Sequence, residues 1–230
     1  MRGALFIPLL AAFPAPAQDL SARSFMRECE ARLPPSRVNV VAVPMATRID
    51  TSRSYRELTG MVSKGEYTWV LGLTRPALRV ETKWGFNGLE DGGGRRMCMR
   101  PTLDMRLYYD PVVVYIGREF VSDDCAYHFI LAHETRHVAV HVRQLQKTVT
   151  LMQAQLQQRM GRDVHYGVRA DLERRFRSEI ESYWVPRAQR ELANVRLEHA
   201  AIDTPEEYAR ARTACEGRIA RVLRRKSDSS

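Results

Sequence analysis

The sequence predicts an α+β fold, with an antiparallel β-sheet first and a helical half after it. Three observations carry this. Apolar and polar residues alternate with a period of two between Leu78 and Tyr109. The joints between those runs are short and rich in Gly, Asp and Pro, which argues for antiparallel neighbours. From Ser122 onward the chain shows helix-start signals and 3.6-residue periodicity in place of strand patterns.

The chain has 230 residues and 44% apolar composition, enough for one globular domain. It opens with "MRGALFIPLLAAFPAPAQ": a single early charge at Arg2, an apolar run from Ala4 to Phe13, then Ala15-Pro16-Ala17. This is the pattern of a bacterial secretory signal with an A-x-A cleavage site, so residues 1–17 are expected to be removed. The run is short for a bilayer span, and no second long apolar stretch follows. The expectation is a periplasmic or secreted protein without a transmembrane segment in its mature chain. A domain over 18–223 is expected, β-rich over 36–120 and helical over 122–223, with a disordered tail over 224–230.

The formal net charge is +9, and loss of Arg2 leaves +8. On an exported chain that balance suits an anionic envelope surface; a basic chain ordinarily suggests nucleic acid, and it is export that argues against that partner. The four cysteines, Cys29, Cys98, Cys125 and Cys215, form no C-x-x-C pair. An even count in an oxidising compartment reads as two disulfides. Of the three pairings, Cys98–Cys125 with Cys29–Cys215 is the one expected, tying the sheet to the following helix and the two chain ends together.

The elements follow in order. Ser21–Leu33 reads as a short helix stopped by Pro34-Pro35, and Val38–Val43 as a β-branched strand. Ser52 or Ser54 starts a helix that stops at Gly60. Leu78, Val80, Thr82, Trp84 and Phe86 line one face of a strand, and "NGLEDGGGRR" is a glycine-rich turn without phosphate-binding spacing. Leu103, Met105, Leu107 and Tyr109 alternate again; Asp110-Pro111 is expected to turn the chain before the apolar strand Val112–Ile116. Asp123 or Asp124 caps a helix from about Cys125 to Met160, ended by Gly161. Further helices are expected over Arg169–Val185 and Pro186–Ala201, and Thr204, Pro205 and Glu207 make a strong start signal for a last helix carrying Cys215.

The long helix carries His133-Glu134-Thr135-Arg136-His137, an H-E-x-x-H motif, with His141 four residues further on. Residues four apart on a helix lie about 40° apart and one turn along, so two imidazoles can grip one Zn²⁺ from one face. Glu134 then stands beside the ion, placed to act as a base toward water. With His133 set at 0°, Val138, Val142, Leu145, Val149, Met152 and Leu156 fall between about 100° and 180°, so the histidines border the buried stripe. His141 lies about 12 Å along the axis from His133, too far to share one tightly bound ion. It is expected to support the site from beside it, with direct ligation as the alternative. The third ligand is then expected on a later helix. Beside the face defined by Leu172, Phe176, Ile180 and Tyr183, Glu179 is the first choice and Glu173 the next, with His165 and His199 as further options. His128 faces away and is read as structural. Tyr183 and Tyr208 are candidates for stabilising an oxyanion, with nothing in the sequence to select either.

"VVVYIGREFVSDDCAYHFILAHETRHVAVH" resembles the core of a family of bacterial, secreted, predicted zinc-dependent proteases. The resemblance covers residues 75–145, through the Val112–Ile116 strand, Cys125 and the motif itself. The arrangement is also similar to gluzincin-type metallopeptidases, although no N-E-x-x-S-D stretch follows. The resemblance implies a zincin-like fold, zinc at His133 and His137, Glu134 as general base and a downstream glutamate as third ligand. The activity expected is hydrolysis of peptide bonds, the substrate being a peptide or protein. The alternatives are a zinc amidase acting on cell-wall peptides and a non-catalytic, basic envelope-binding protein.

Overall fold

The computed structural model describes residues 17–62, 69–94 and 96–225. The expected export signal lies outside these residues except for Ala17, and the expected tail lies outside them from residue 226.

The elements are α1 (Ala17–Arg32), β1 (Arg37–Ala42), β2 (Thr47–Asp50), α2 (Tyr55–Met61), β3 (Gly72–Glu90), β4 (Met97–Ile116), α3 (Asp124–Met160), β5 (His165–Gly167), α4 (Arg169–Glu179), α5 (Val185–Ala193), α6 (Arg196–Ala200), α7 (Pro205–Thr213) and α8 (Arg218–Arg225). The architecture is α+β: a five-stranded sheet, a long helix across it, and a run of C-terminal helices.

The sheet is mixed rather than antiparallel. β3 and β4 form the expected long antiparallel hairpin, closed at residues 91–96. On the other side of β4, β1 and β2 both run parallel to it, beside Thr102–Leu107 and Val112–Tyr115. Only four residues join β1 to β2, so the two continue in one direction, and Val43 N and Ala46 O keep the backbone bonded to β4 between them. The reversal comes later, through α2, whose capping box joins Ser54 and Glu57. Short turns can show that two strands are neighbours in sequence; they cannot show which strand a third segment joins.

Asp110-Pro111 makes no turn. It lies inside β4, opposite a register shift between Pro76 and Leu78. Two prolines without N–H groups leave a gap in the ladder there, and the strand continues past it.

α3 is capped by Asp123, whose carboxylate accepts from Ala126 N, and it ends at Gly161. Its Leu145, Met152 and Leu156 are buried against Leu103, Met105, Leu107 and Tyr109 of β4 and against Phe176, Ile180 and Trp184. Each such side chain contributes about 1.5–3 kcal/mol of burial free energy. Val142, at the edge of the predicted stripe, is exposed. Pro186 does not break the helix that begins at Arg169. A π-helical turn over Ile180–Trp184, with Val185 N bonded to Ile180 O, widens the backbone just before the proline, and the break comes at Asn194. A second cluster, formed by Tyr55, Ile116, Phe120, Ala126, Ile130 and Ile219, seats α8 against the start of α3.

The disulfides are Cys29–Cys98 and Cys125–Cys215, which corrects both expected pairings. β4 carries the chain from Cys98 to Ile116 before it turns into α3, on the order of 60 Å at 3.3 Å per residue. Cys98 and Cys125 therefore stand at opposite ends of the sheet. One bridge ties α1 to β4; the other ties the start of α3 to the turn between α7 and α8. Among the described residues, no helix is long and apolar enough to cross a membrane.

Candidate metal centre

α3 holds His133, Glu134 and His137 rigidly on successive turns of 37 residues without proline or glycine. What they meet is the short connection between α6 and α7. Ile202 N and Asp203 N both bond to His199 O, closing α6 and setting the direction of Asp203. Thr204 then caps α7 by accepting from Glu207 N at 3.3 Å.

The result is a convergence of three ligand atoms. Asp203 Oδ1 lies 3.0 Å from His133 Nε2 and 3.1 Å from His137 Nε2, and the two Nε2 atoms are 3.1 Å apart. His133, His137 and Asp203 are the residues of the described chain that could hold a metal ion together. The donor set fits such an ion. Two imidazole nitrogens and a carboxylate oxygen are three electron-pair donors facing one point, and that trio suits a divalent transition metal. Around tetrahedral zinc at 2.0–2.1 Å, neighbouring ligand atoms are about 3.3 Å apart, a few tenths more than observed.

Behind this trio stands a layer that orients it. His133 Nδ1 lies 3.1 Å from Glu207 Oε1; in the tautomer that carries its proton on Nδ1, the ring donates to that carboxylate and turns the Nε2 lone pair to the centre. Glu207 also accepts from Arg136 and, at 2.7 Å, from Arg210. His137 Nδ1 is 2.7 Å from His199 Nδ1, so one ring donates to the other. His199 in turn packs on His141, and His141 packs edge-on to Tyr109.

The charges are strongly coupled. Burial works to raise the Asp203 carboxyl, but its bonds with His133 and His137 override it and hold the group well below the usual range. Burial works to lower His133; the bonds to Asp203 and Glu207 reverse that and leave it raised. His141 is pushed down to about 4 by burial, with His199 and His137 adding to the effect, and its Nδ1 is buried with no partner among the described residues. It stands beside the centre as a neutral ring, not among the three converging residues.

Glu134 is 3% exposed. Its Oε2 accepts from Thr74 Oγ1 at 2.8 Å, and burial raises its carboxyl against the pull of His137, His133 and Thr74. β3 passes so close here that a Cβ on Gly72 would lie 2.7 Å from Glu134 Oε1 and from Ile130 Cγ2. Glycine is what lets the strand approach. Glu134, His133 and His137 face a cleft of about 800 Å³, walled by Trp69, Leu71, Phe129, Ile130, Ile219 and Leu223 and bordered by the Gly72–Thr74 segment of β3. Tyr208 also lines it.

The carboxylate that joins the histidines is Asp203, and neither Glu179 nor Glu173 is there. Glu179 is paired with Arg159 at 3.0 Å and accepts from Trp184 Nε1; Glu173 is 3.7 Å from Arg169. Both lie on the part of the chain that packs over the far half of α3. Tyr183 is exposed beside Arg187 and Trp184, and His128 is bonded to Asp124 on the outer face of α3. Sequence reasoning missed Asp203 and Glu207. They sit in "DTPEEY", which reads as a helix start and gives no sign that its acids face inward. Comparison with family models, with curated proteins and with solved structures returned no match.

Proposed function

We propose that the protein is an exported zinc-dependent metallopeptidase. The observation that carries this reading is the convergence of His133, His137 and Asp203 beside the buried carboxylate of Glu134, at the floor of an open cleft. Three protein ligands and an open fourth position are the pattern of catalytic zinc, whereas structural zinc is closed by four. His133, His137 and Asp203 would hold the ion. Zinc bound there supplies Lewis-acid chemistry to a scissile carbonyl and to water. Glu134 is held by Thr74 and shielded from solvent, where it takes a proton from the attacking water and passes it to the leaving amine. Glu207 and His199 keep the two imidazoles turned so that each Nε2 faces the centre.

The surroundings favour a peptide. Among the described residues β3 pairs with β4 alone, so its outer edge offers free backbone groups to an extended chain beside Glu134. The apolar walls suit an apolar side chain next to the scissile bond. Two disulfides and the leader-like first residues support export. A non-catalytic envelope binder has no use for a carboxyl that is 3% exposed beside two imidazoles, since burying it carries a desolvation cost. A cell-wall amidase would share the machinery and differ in substrate; the apolar cleft favours the peptidase.

The test is metal analysis with turnover. Protein purified without chelator is expected to carry about one zinc per chain and to cleave an unfolded protein such as casein. Glu134→Gln is expected to keep the zinc and lose turnover by about 10²-fold or more. Less than about 0.1 zinc per chain, or undiminished turnover in the variant, ends this reading.

A further inference from the structure

A second cavity lies at the other end of α3. It has a volume of about 750 Å³ and is lined by four arginines from four segments: Arg100 on β4, Arg159 at the end of α3, Arg162 before β5, and Arg175 on α4. His165 of β5 joins them. Arg159 stands about 39 Å along the helix axis from His133, so the two sites share no residue. Two carboxylates, Glu30 and Asp163, also line the cavity and leave it with two net positive charges.

One of the four arginines serves an acid of the fold, and the other three do not. Arg159 is committed to Glu179. Among the described residues, no carboxylate pairs with Arg100, Arg162 or Arg175; Arg100 reaches only the carbonyl of Arg162, at a long 3.5 Å. Two polar atoms beside the cavity, Arg100 Nε and His165 Nε2, are buried without a hydrogen-bond partner among the described residues. Both are withdrawn from water and neither is satisfied, an arrangement that costs stability unless something else compensates.

We propose that this cavity is a binding site for a phosphate-class oxyanion, either free phosphate or the phosphomonoester end of a larger molecule. Guanidinium groups suit oxyanions because their N–H forks match paired oxygens, and each fork forms charge-assisted bonds. A planar carboxylate is satisfied by one such fork. Guanidiniums approaching from different elements suit a tetrahedral group with oxygens on several sides. His165 adds a neutral ring to the wall: burial, together with the charges of Arg159 and Arg175, holds it below its ordinary value.

The test is titration of the full-length protein with inorganic phosphate and with glycerol phosphate at about 0.15 M NaCl, read at the imidazole signals of His165 by NMR and by calorimetry. Saturable binding is expected for both ligands. Arg175→Ala and Arg162→Ala, two exposed positions whose loss spares the core, are each expected to weaken it by about fivefold or more. Arg190→Ala removes one positive charge from an exposed site elsewhere and is expected to change affinity less than about twofold. Tighter binding of glycerol phosphate assigns the site to the end of a larger ligand, and tighter binding of inorganic phosphate to the free ion. The proposal is overturned if no saturable shift appears at His165, or if Arg190→Ala weakens binding as much as Arg175→Ala. The readouts need neither turnover nor bound zinc, so this site and the metallopeptidase reading stand or fall separately.

Discussion

Replacing Asp203 by alanine tests the candidate centre most directly. Among the described residues, its Oδ1 is the carboxylate oxygen that lies within 3.1 Å of both His133 Nε2 and His137 Nε2. The substitution removes a ligand atom and a negative charge and leaves two imidazoles. Removing a partner one layer further out costs about 10–100-fold in metal affinity, so loss of a ligand atom is expected to cost at least about 100-fold, or about 2.7 kcal/mol. Glu207→Gln keeps the size of the side chain and a hydrogen-bond acceptor for His133 Nδ1 but removes its charge; about 10-fold is expected. Glu179→Ala breaks an ion pair with Arg159 and is expected to leave zinc affinity within about twofold. The assay is competition for zinc against a chromophoric chelator, with circular dichroism to confirm that each variant folds. Zinc affinity that survives in Asp203→Ala and falls in Glu179→Ala would refute the reasoning.

Two further outcomes follow from the packing. Converting Cys125 and Cys215 to serine opens a link spanning 90 residues and is expected to lower stability by about 2–4 kcal/mol and to weaken zinc binding, because that bridge anchors the segment carrying His199, Asp203 and Glu207; the Cys29/Cys98 double variant should lose comparable stability, seen in denaturant melts, with zinc affinity unchanged. Tyr109 is buried, donates to Leu192 O at 2.8 Å, and is pushed up to about 12. Its folded value is raised, so its contribution is complete below about pH 10 and is lost as pH rises toward about 12, a cost of up to about 2.7 kcal/mol. Melts of wild type and Tyr109→Phe between those pH values should converge, and parallel curves would contradict the assignment.

Local signals in the sequence were reliable where the physics is local. Asp123, Ser54 and Thr204 act as caps because a cap needs only the next three residues. The alternation in β3 and β4 marks two strands that pair as a hairpin because only residues 91–96 separate them. The side of α3 that faces the sheet was legible from helical spacing, apart from Val142 at its margin. Glu179 shows where this reasoning stops. Its helix does bury the predicted face through Leu172, Phe176 and Ile180, but that face packs on Trp84 and the far half of α3. Periodicity says which side of a helix is covered and is silent on what covers it.

The sequence by itself determined the α+β order of elements, the long helix, and the placing of two histidines and a glutamate on one side of it. All of these rest on neighbours within a turn or two of chain. Only the tertiary structure decided the parallel course of β1 and β2, the cysteine pairing, and the arrival of Asp203 at a histidine 70 residues before it. These are meetings between segments distant in the chain. They depend on how the whole core packs, and no local pattern in "DTPEEY" encodes the helix its acids will face.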